Sequence, residues 1–208
     1  MSEDSQDPSE QLIHYFFMLT EKQLKDRYNE NKAKQISQKF QQIFMKLIKK
    51  YDDDKVVKND AINPIFLIAL NESQQISREE LLDQMLKVYE EMLTEILINH
   101  QLGMATSDDP WKTFVTSTKS ANKQLYENEY FQCKTVIDDE QQFGFDINRC
   151  IYYEIFKENG QEDLAPLLCE YDFILADNVK DWVVFTRDET IADGSHRCAF
   201  RYFKKTAE

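Results

Sequence analysis

The chain has 208 residues and a formal net charge of −13, from 38 acidic against 25 basic side chains. That length suits one large domain or two small ones with a real core, and the plentiful aromatics argue against disorder. Four glycines, with no GxGxxG and no GxxxxGK(S/T), disfavour dinucleotide folds and P-loop NTPases, and acidity without a basic stripe disfavours nucleic acid and anionic membranes as partners.

Residues 1–9 are acidic and polar, which is the wrong chemistry for a signal peptide, and read as a disordered tail. A helical segment follows with Leu12, Ile13, Phe16 and Phe17 at helical spacing. A second amphipathic stretch covers about 32–51, with Ile36, Phe40, Ile43, Phe44, Leu47 and Ile48 on its stripe. Asp52-Asp53-Asp54 reads as a polar connector, because a Ca²⁺ loop needs spaced acids and a bidentate Glu. An apolar patch surrounds Pro64, and its run at 65–70 is far too short to span a bilayer. Ser77 and Glu80 have the spacing of a capping box and open a long helix to about residue 101. Gly103 ends that helix as a C-terminal cap, and Asp109-Pro110 starts the next, which fades near Tyr126.

The texture then changes. Residues 131–137 and 143–149 read as strands around a polar turn at 138–142. A short helix over 151–158 stops at Gly160, and a longer helix is predicted from about 162 to 176. Residues 182–190 and 195–203 form a closing hairpin over Asp193-Gly194. The fold class is therefore α+β: a helical N-terminal half, then an antiparallel four-stranded sheet of order ββ-αα-ββ packed on helices. The expected divisions are a tail at 1–9, a helical region at 10–106 and an α+β domain at 107–208, with the last two forming one compact unit. The long helical stripes suit a homodimer surface and burial within one chain equally well.

All four cysteines (Cys133, Cys150, Cys169, Cys198) lie beyond residue 102 and read as reduced thiols of a cytoplasmic protein. Cys169 and Asp172, three apart on a predicted helix, share a face. A two-residue turn at Asp193-Gly194 sets Arg187 opposite Phe200 and Glu189 opposite Cys198. Arg187, Glu189, Cys198, Phe200 and Tyr202 then fall on one sheet face. Cys150, at a strand–helix junction, is placed where amide N–H groups stabilise a thiolate.

Asn148-Arg149-Cys150, Gly160, Leu164, Cys169 with Asp172, Phe185 with Arg187, Gly194, and Cys198 with Phe200 carry a family resemblance. Over about residues 110–203 the chain resembles the L-2-amino-thiazoline-4-carboxylic acid hydrolase family of bacterial proteins; over the helical lead-in the resemblance is weak. It implies hydrolytic opening of a cyclic thiazoline to a carbamoyl-cysteine. The candidate catalytic residues are Cys169, as nucleophile or covalent partner, and Asp172, to activate water or protonate the ring nitrogen. Arg187 is the natural bidentate partner of a substrate carboxylate, and Cys198, Cys150, Asn148 and Arg149 complete the substrate-binding set.

Blander readings stand beside these. A free cysteine is commonly a small buried hydrophobe. Asp172 suits a structural ion pair with Arg187 or Arg149, and Arg187 suits an exposed strand position. Cys150, Cys169, Cys198 and His196 suit zinc by residue type, but no CxxC pair occurs, so neither metal nor cofactor is assigned. His14 and His100 sit in helical segments and His196 beside a turn, and none is assigned a role. The expected partner is a small molecule, and the alternative to a hydrolase is a non-catalytic small-molecule-binding or sensing module on the same scaffold.

Overall fold

Four helices build the first part of the chain, and local capping explains where α2, α3 and α4 start. The computed structural model of the protein describes residues 8–206. Residues 1–7 of the expected tail lie outside the described residues, and α1 spans Pro8–Arg27. Helix α2, Glu30–Ile48, is capped by Asn29, whose side chain accepts from the Lys32 N–H. It runs into a 3-10 turn at Lys49–Tyr51. Asp54 of the acidic triplet then caps α3, Lys55–Ser73, by accepting from the N–H groups of Val56 and Val57. The apolar patch around Pro64 is the inside of this helix, where Ile62 and Ile65 to Ala69 are fully buried. A helix apolar all round sits within a core. The capping box holds at the start of α4, Arg78–Leu93: the Glu80 N–H donates to Ser77 Oγ at 3.2 Å, and the Ser77 N–H to the Glu80 carboxylate at 3.0 Å.

The predicted helix beyond residue 93 continues as a π turn, Thr94–Ile98, and as α5, Asn99–Met104. Gly103 does not cap it. The glycine lies inside the last turn, and the hydroxyls of Thr106 and Ser107 donate to the carbonyls of Gly103 and Met104, both at 2.8 Å. Those carbonyls need no left-handed residue.

Helix α6, Pro110–Leu125, starts as expected, with Asp109 accepting from the Lys112 N–H and Pro110 in the first turn. Strands β1 (Cys133–Asp138), β2 (Gln142–Ile147), β3 (Val183–Thr186) and β4 (Cys198–Lys204) form one antiparallel sheet of order β1-β2-β4-β3. Helix α7, Ile151–Glu158, is followed by Gly160 at φ +65°. The helix predicted over 162–176 is broken instead, into a 3-10 turn at Glu162–Leu164, α8 at Ala165–Cys169 and α9 at Tyr171–Asp177.

The chain divides into two compact units. One holds residues up to Met92 together with Ile155–Leu168; the other holds Leu93–Glu154 and the chain from Cys169 onward. The helical unit is centred on aromatic rings, with Phe16 and Phe66 at 4.6 Å and Phe17 and Phe44 at 5.2 Å between centroids.

In the sheet unit the two faces differ. One is aromatic: Phe145 stacks on Phe200 at 4.6 Å and Phe185 on Tyr202 at 5.0 Å, while Phe114 of α6 meets Tyr202 at 5.1 Å. The other is ionic. Asp146, buried, accepts from Arg201 at 2.7 Å and Arg197 at 3.0 Å. Gly144 lies beneath Arg201, where a Cβ would come within 3.0 Å of Arg201 Cδ and 3.1 Å of the Phe200 carbonyl oxygen. So the alternation predicted for β2 is present, but both of its faces are buried.

The closing hairpin has the expected register and a different turn. Phe185 pairs with Tyr202 and Thr186 with Arg201, which carries Arg187 toward Phe200. The connection is longer than two residues. It contains a 3-10 turn, Ile191–Asp193, capped by the Thr190 hydroxyl and closed by Gly194 at φ +89°. Because the chain leaves the ladder after Thr186, Glu189 does not join the aromatic face. It is exposed and accepts from Arg197 at 2.7 Å.

Candidate functional site

Arg187 sits at the end of β3, where the aromatic face gives way to the hairpin loop. Its side chain is only 4% exposed. Nη1 donates to the Asp172 carboxylate and to the Cys169 carbonyl, the latter at 3.0 Å. This second bond accounts for the break in the predicted helix. With the Cys169 carbonyl occupied, the Phe173 N–H, which would complete the α-helical bond to it, turns to the Glu170 carbonyl at 3.1 Å. An arginine just past β3 thus splits α8 from α9 and holds Cys169 and Asp172 beside itself.

The guanidinium carbon lies 5.0 Å from the centre of the Phe173 ring and 5.6 Å from that of Phe200. Nε is buried and has no hydrogen-bond partner. No hydrogen bond involves Nη2 among the described residues. Phe173 itself is 41% exposed and touches Phe185 edge-on at 5.4 Å.

The Asp172 carboxyl is pushed up to about 6 by burial, against the pull of the Arg187 guanidinium and its hydrogen bond. Its side chain keeps 19% exposure. The sulfurs nearby respond the same way. Burial pushes the Cys169 thiol up; the charge of Asp172 adds to this and Arg187 opposes it. Cys150 precedes α7, and backbone N–H groups of Tyr153 and Tyr152 favour its thiolate. Burial outweighs them and pushes the thiol up to about 12. The expectation of a stabilised thiolate therefore fails, because desolvation of the anion exceeds what two amides supply. Cys198 is buried; its sulfur accepts from the Ile191 N–H at 3.3 Å and its thiol is also raised by burial.

Cys150, Cys169, Cys198, Asp172 and Arg187 thus gather in one neighbourhood, with Asp172 acting electrostatically on all three thiols. Asn148 and Arg149 do not join them. Asn148 is exposed and donates to the Gln132 carbonyl at 3.1 Å. Arg149 is held by Glu154 through two bonds of 2.7 Å and donates to the Glu129 carbonyl at 2.9 Å. Both brace the chain around Gln132, whose φ of 49° is costly for a residue with a side chain. Cys133 lies on β1, and burial pushes its thiol up to about 12. His196 is exposed, and His100 contacts Ser117 Oγ at 3.3 Å. Among the described residues, no group of three or more His, Cys, Asp and Glu side chains is arranged to hold a metal ion. No described helix is long and apolar enough to cross a membrane.

Sequence reasoning missed Phe173. It lies four residues after Cys169, so helix periodicity sets it on the Cys169–Asp172 face, a signal that could have found it. The position of Arg187 shows that its ring borders the same group.

The sequence pattern of L-2-amino-thiazoline-4-carboxylic acid hydrolase matches residues 63–202. The match includes every residue of the cluster and reaches back into α3, well before the stretch where the resemblance is evident by eye. No curated protein and no solved structure matches the chain.

Proposed function

The chain belongs to the L-2-amino-thiazoline-4-carboxylic acid hydrolase family, and we propose that it hydrolyses a small cyclic amidine or thiazoline carboxylic acid, opening the ring to a carbamoyl-cysteine-like product. The observation that carries this reading is the Asp172–Arg187 pair: a carboxyl raised to about 6, on a side chain that keeps partial exposure, beside a buried cation. A base of that strength is half-ionised one unit below neutrality, close to the optimum for taking a proton at pH 7.

In this scheme Arg187 anchors the substrate carboxylate and Asp172 takes a proton from water as its oxygen adds to the C=N carbon. The ring nitrogen takes that proton from Asp172 as its double bond to carbon becomes single; the tetrahedral carbon then closes to a carbonyl and releases the ring sulfur, the hydroxyl proton passing through Asp172 to that sulfur. Atoms and charge balance without a cofactor. Direct attack by Cys169 is the weaker route. Its thiol lies far above Asp172 in pKa, so moving the proton between them is steeply uphill. Cys169 instead lines the site as a neutral thiol, with Cys150 and Cys198 beside it.

Kinetics on L-2-amino-thiazoline-4-carboxylic acid test this. Asp172→Asn is expected to lower kcat by roughly 10²- to 10⁴-fold, Arg187→Ala to raise KM, and Cys169→Ala to act less than either. The wild-type rate should rise with pH through about 6, as Asp172 loses its proton. Undiminished rates in the Asp172 and Arg187 variants would sink the proposal.

A second reading, a binding or sensing module, draws on the same three thiols, which burial holds protonated and unreactive. It predicts saturable binding of the acid with no turnover, and thiol reagents that react slowly with or without it.

A further inference from the structure

The geometry points to a carboxylate subsite on the Nε/Nη2 edge of Arg187, with Phe173 as the positioning residue that covers it. This deepens the hydrolase reading and rests on it for the identity of the ligand.

Three observations meet here. A guanidinium offers five N–H donors in fixed directions, and Nε–H with one N–H of the neighbouring Nη points along a common edge, spaced to match the two oxygens of a carboxylate. In Arg187 the Nη1 side is spent on Asp172 and the Cys169 carbonyl, while Nε is buried with no partner and Nη2 makes no hydrogen bond among the described residues. A buried N–H of a cation left unpaired keeps its full desolvation penalty, so an acceptor brought to this edge relieves it. Asp172 contributes to this: by fixing Nη1 it sets the guanidinium plane before any ligand arrives, so the edge needs no reorientation.

Phe173 supplies the second half. It is a large apolar side chain that stays 41% exposed, yet its ring lies next to a guanidinium whose own side chain is only 4% exposed. An exposed ring covering a buried cation excludes water from it, and a carboxylate held against a dehydrated cation is bound more tightly than one screened by solvent. The ring is carried by a seven-residue helix, α9, and meets the sheet through Phe185 of β3, so its rotamer change opens the edge at the cost of that ring contact. The ligand class is a small monocarboxylate that engages both oxygens; a carboxamide, which replaces one acceptor by a donor, meets Nε–H or Nη2–H with the wrong group.

The test uses the full chain, uniformly ¹⁵N-labelled, with the Arg187 Nε–H signal identified by its loss in Arg187→Lys. The probes are L-2-amino-thiazoline-4-carboxylic acid and its carboxamide. The acid should shift the Arg187 Nε–H signal in a saturable way, and the carboxamide should not. Phe173→Ala should weaken the acid's affinity by about tenfold, the scale of one desolvated cation contact, while Phe173→Leu, which keeps an apolar cover, retains most of it. An unmoved Nε–H signal at saturating acid, equal binding of the carboxamide, or full affinity in Phe173→Ala each overturns the subsite. Turnover followed in the same wild-type sample separates the two ideas. A shifted signal with no product keeps the subsite and defeats the hydrolase reading; product formed with an unmoved signal does the reverse.

Discussion

Two half-buried carboxyls, one in each unit, separate structure from chemistry in this molecule. Asp60, on α3 of the helical unit, and Asp172, on α9 of the sheet unit, are both raised to about 6 by desolvation. Asp60 has no hydrogen bond or ion pair among the described residues, and burial is its only perturbation. Asp172 holds a buried arginine, keeps a partly exposed side chain and acts on three thiols. The same shift thus arises with and without a site around it. What distinguishes a candidate site is the company of the raised group: a cation with an unused hydrogen-bonding edge, at the rim of an aromatic face.

The largest effect expected from breaking this contrast is at Asp172. Asp172→Ala strands the buried Arg187 charge and should cost about 3–5 kcal/mol in urea denaturation. Replacing both partners by apolar residues, Asp172→Leu with Arg187→Met, should cost far less, because such a pair is dispensable for folding, while the proposed hydrolysis, which uses both groups, is expected to be lost. A double variant as unstable as the single one would show that the pair is retained for stability alone.

The mirror experiment is at Asp60. A carboxyl whose folded pKa is raised favours the protonated form in the native state, so its burden on stability is absent below about pH 4 and grows as pH rises through 6. Asp60→Asn should therefore stabilise the protein at pH 7 by on the order of 2 kcal/mol, do little at pH 4, and leave catalysis untouched. Loss of activity in this variant would give the helical unit a part in the chemistry. The smallest effect is at Ser77, whose hydroxyl caps α4. Ser77→Ala should cost about 1 kcal/mol with an unaltered KM, marking the helical unit as a scaffold coded by short-range contacts.

Those short-range contacts are the part of the fold that was legible beforehand. The Ser77–Glu80 box, Asp109 before Pro110, the limits of α7 and the hairpin register each depend on residues a few positions apart, or on a turn and a count of two. The helix around Pro64 was harder to see, because a segment buried on all sides has no amphipathic period to display. Gly103 misled for a related reason: a glycine near a helix end suggests a left-handed cap, but two downstream hydroxyls took the carbonyls first.

The site divided along the same line. That Cys169, Asp172, Arg187, Cys198 and Cys150 belong together was readable from spacing, strand register and family resemblance. That Asn148 and Arg149 brace a strained turn was not, since Glu154 and Gln132 claim them only once the chain is folded. Nor was the state of the thiols. Helix-start position argued for a low Cys150 pKa, and desolvation by side chains from elsewhere in the fold reversed it.

By itself, the sequence determined the α+β class, the order of elements and the family, because periodicity, capping and register act over a few positions. Only the tertiary structure decided that α8 and α9 are separate, that Glu189 leaves the aromatic face, and that Arg187 keeps one edge unpaired beneath Phe173. Each depends on which distant group reaches a given donor or carbonyl first and on how much water is excluded there, and neither quantity is written in any short stretch of chain.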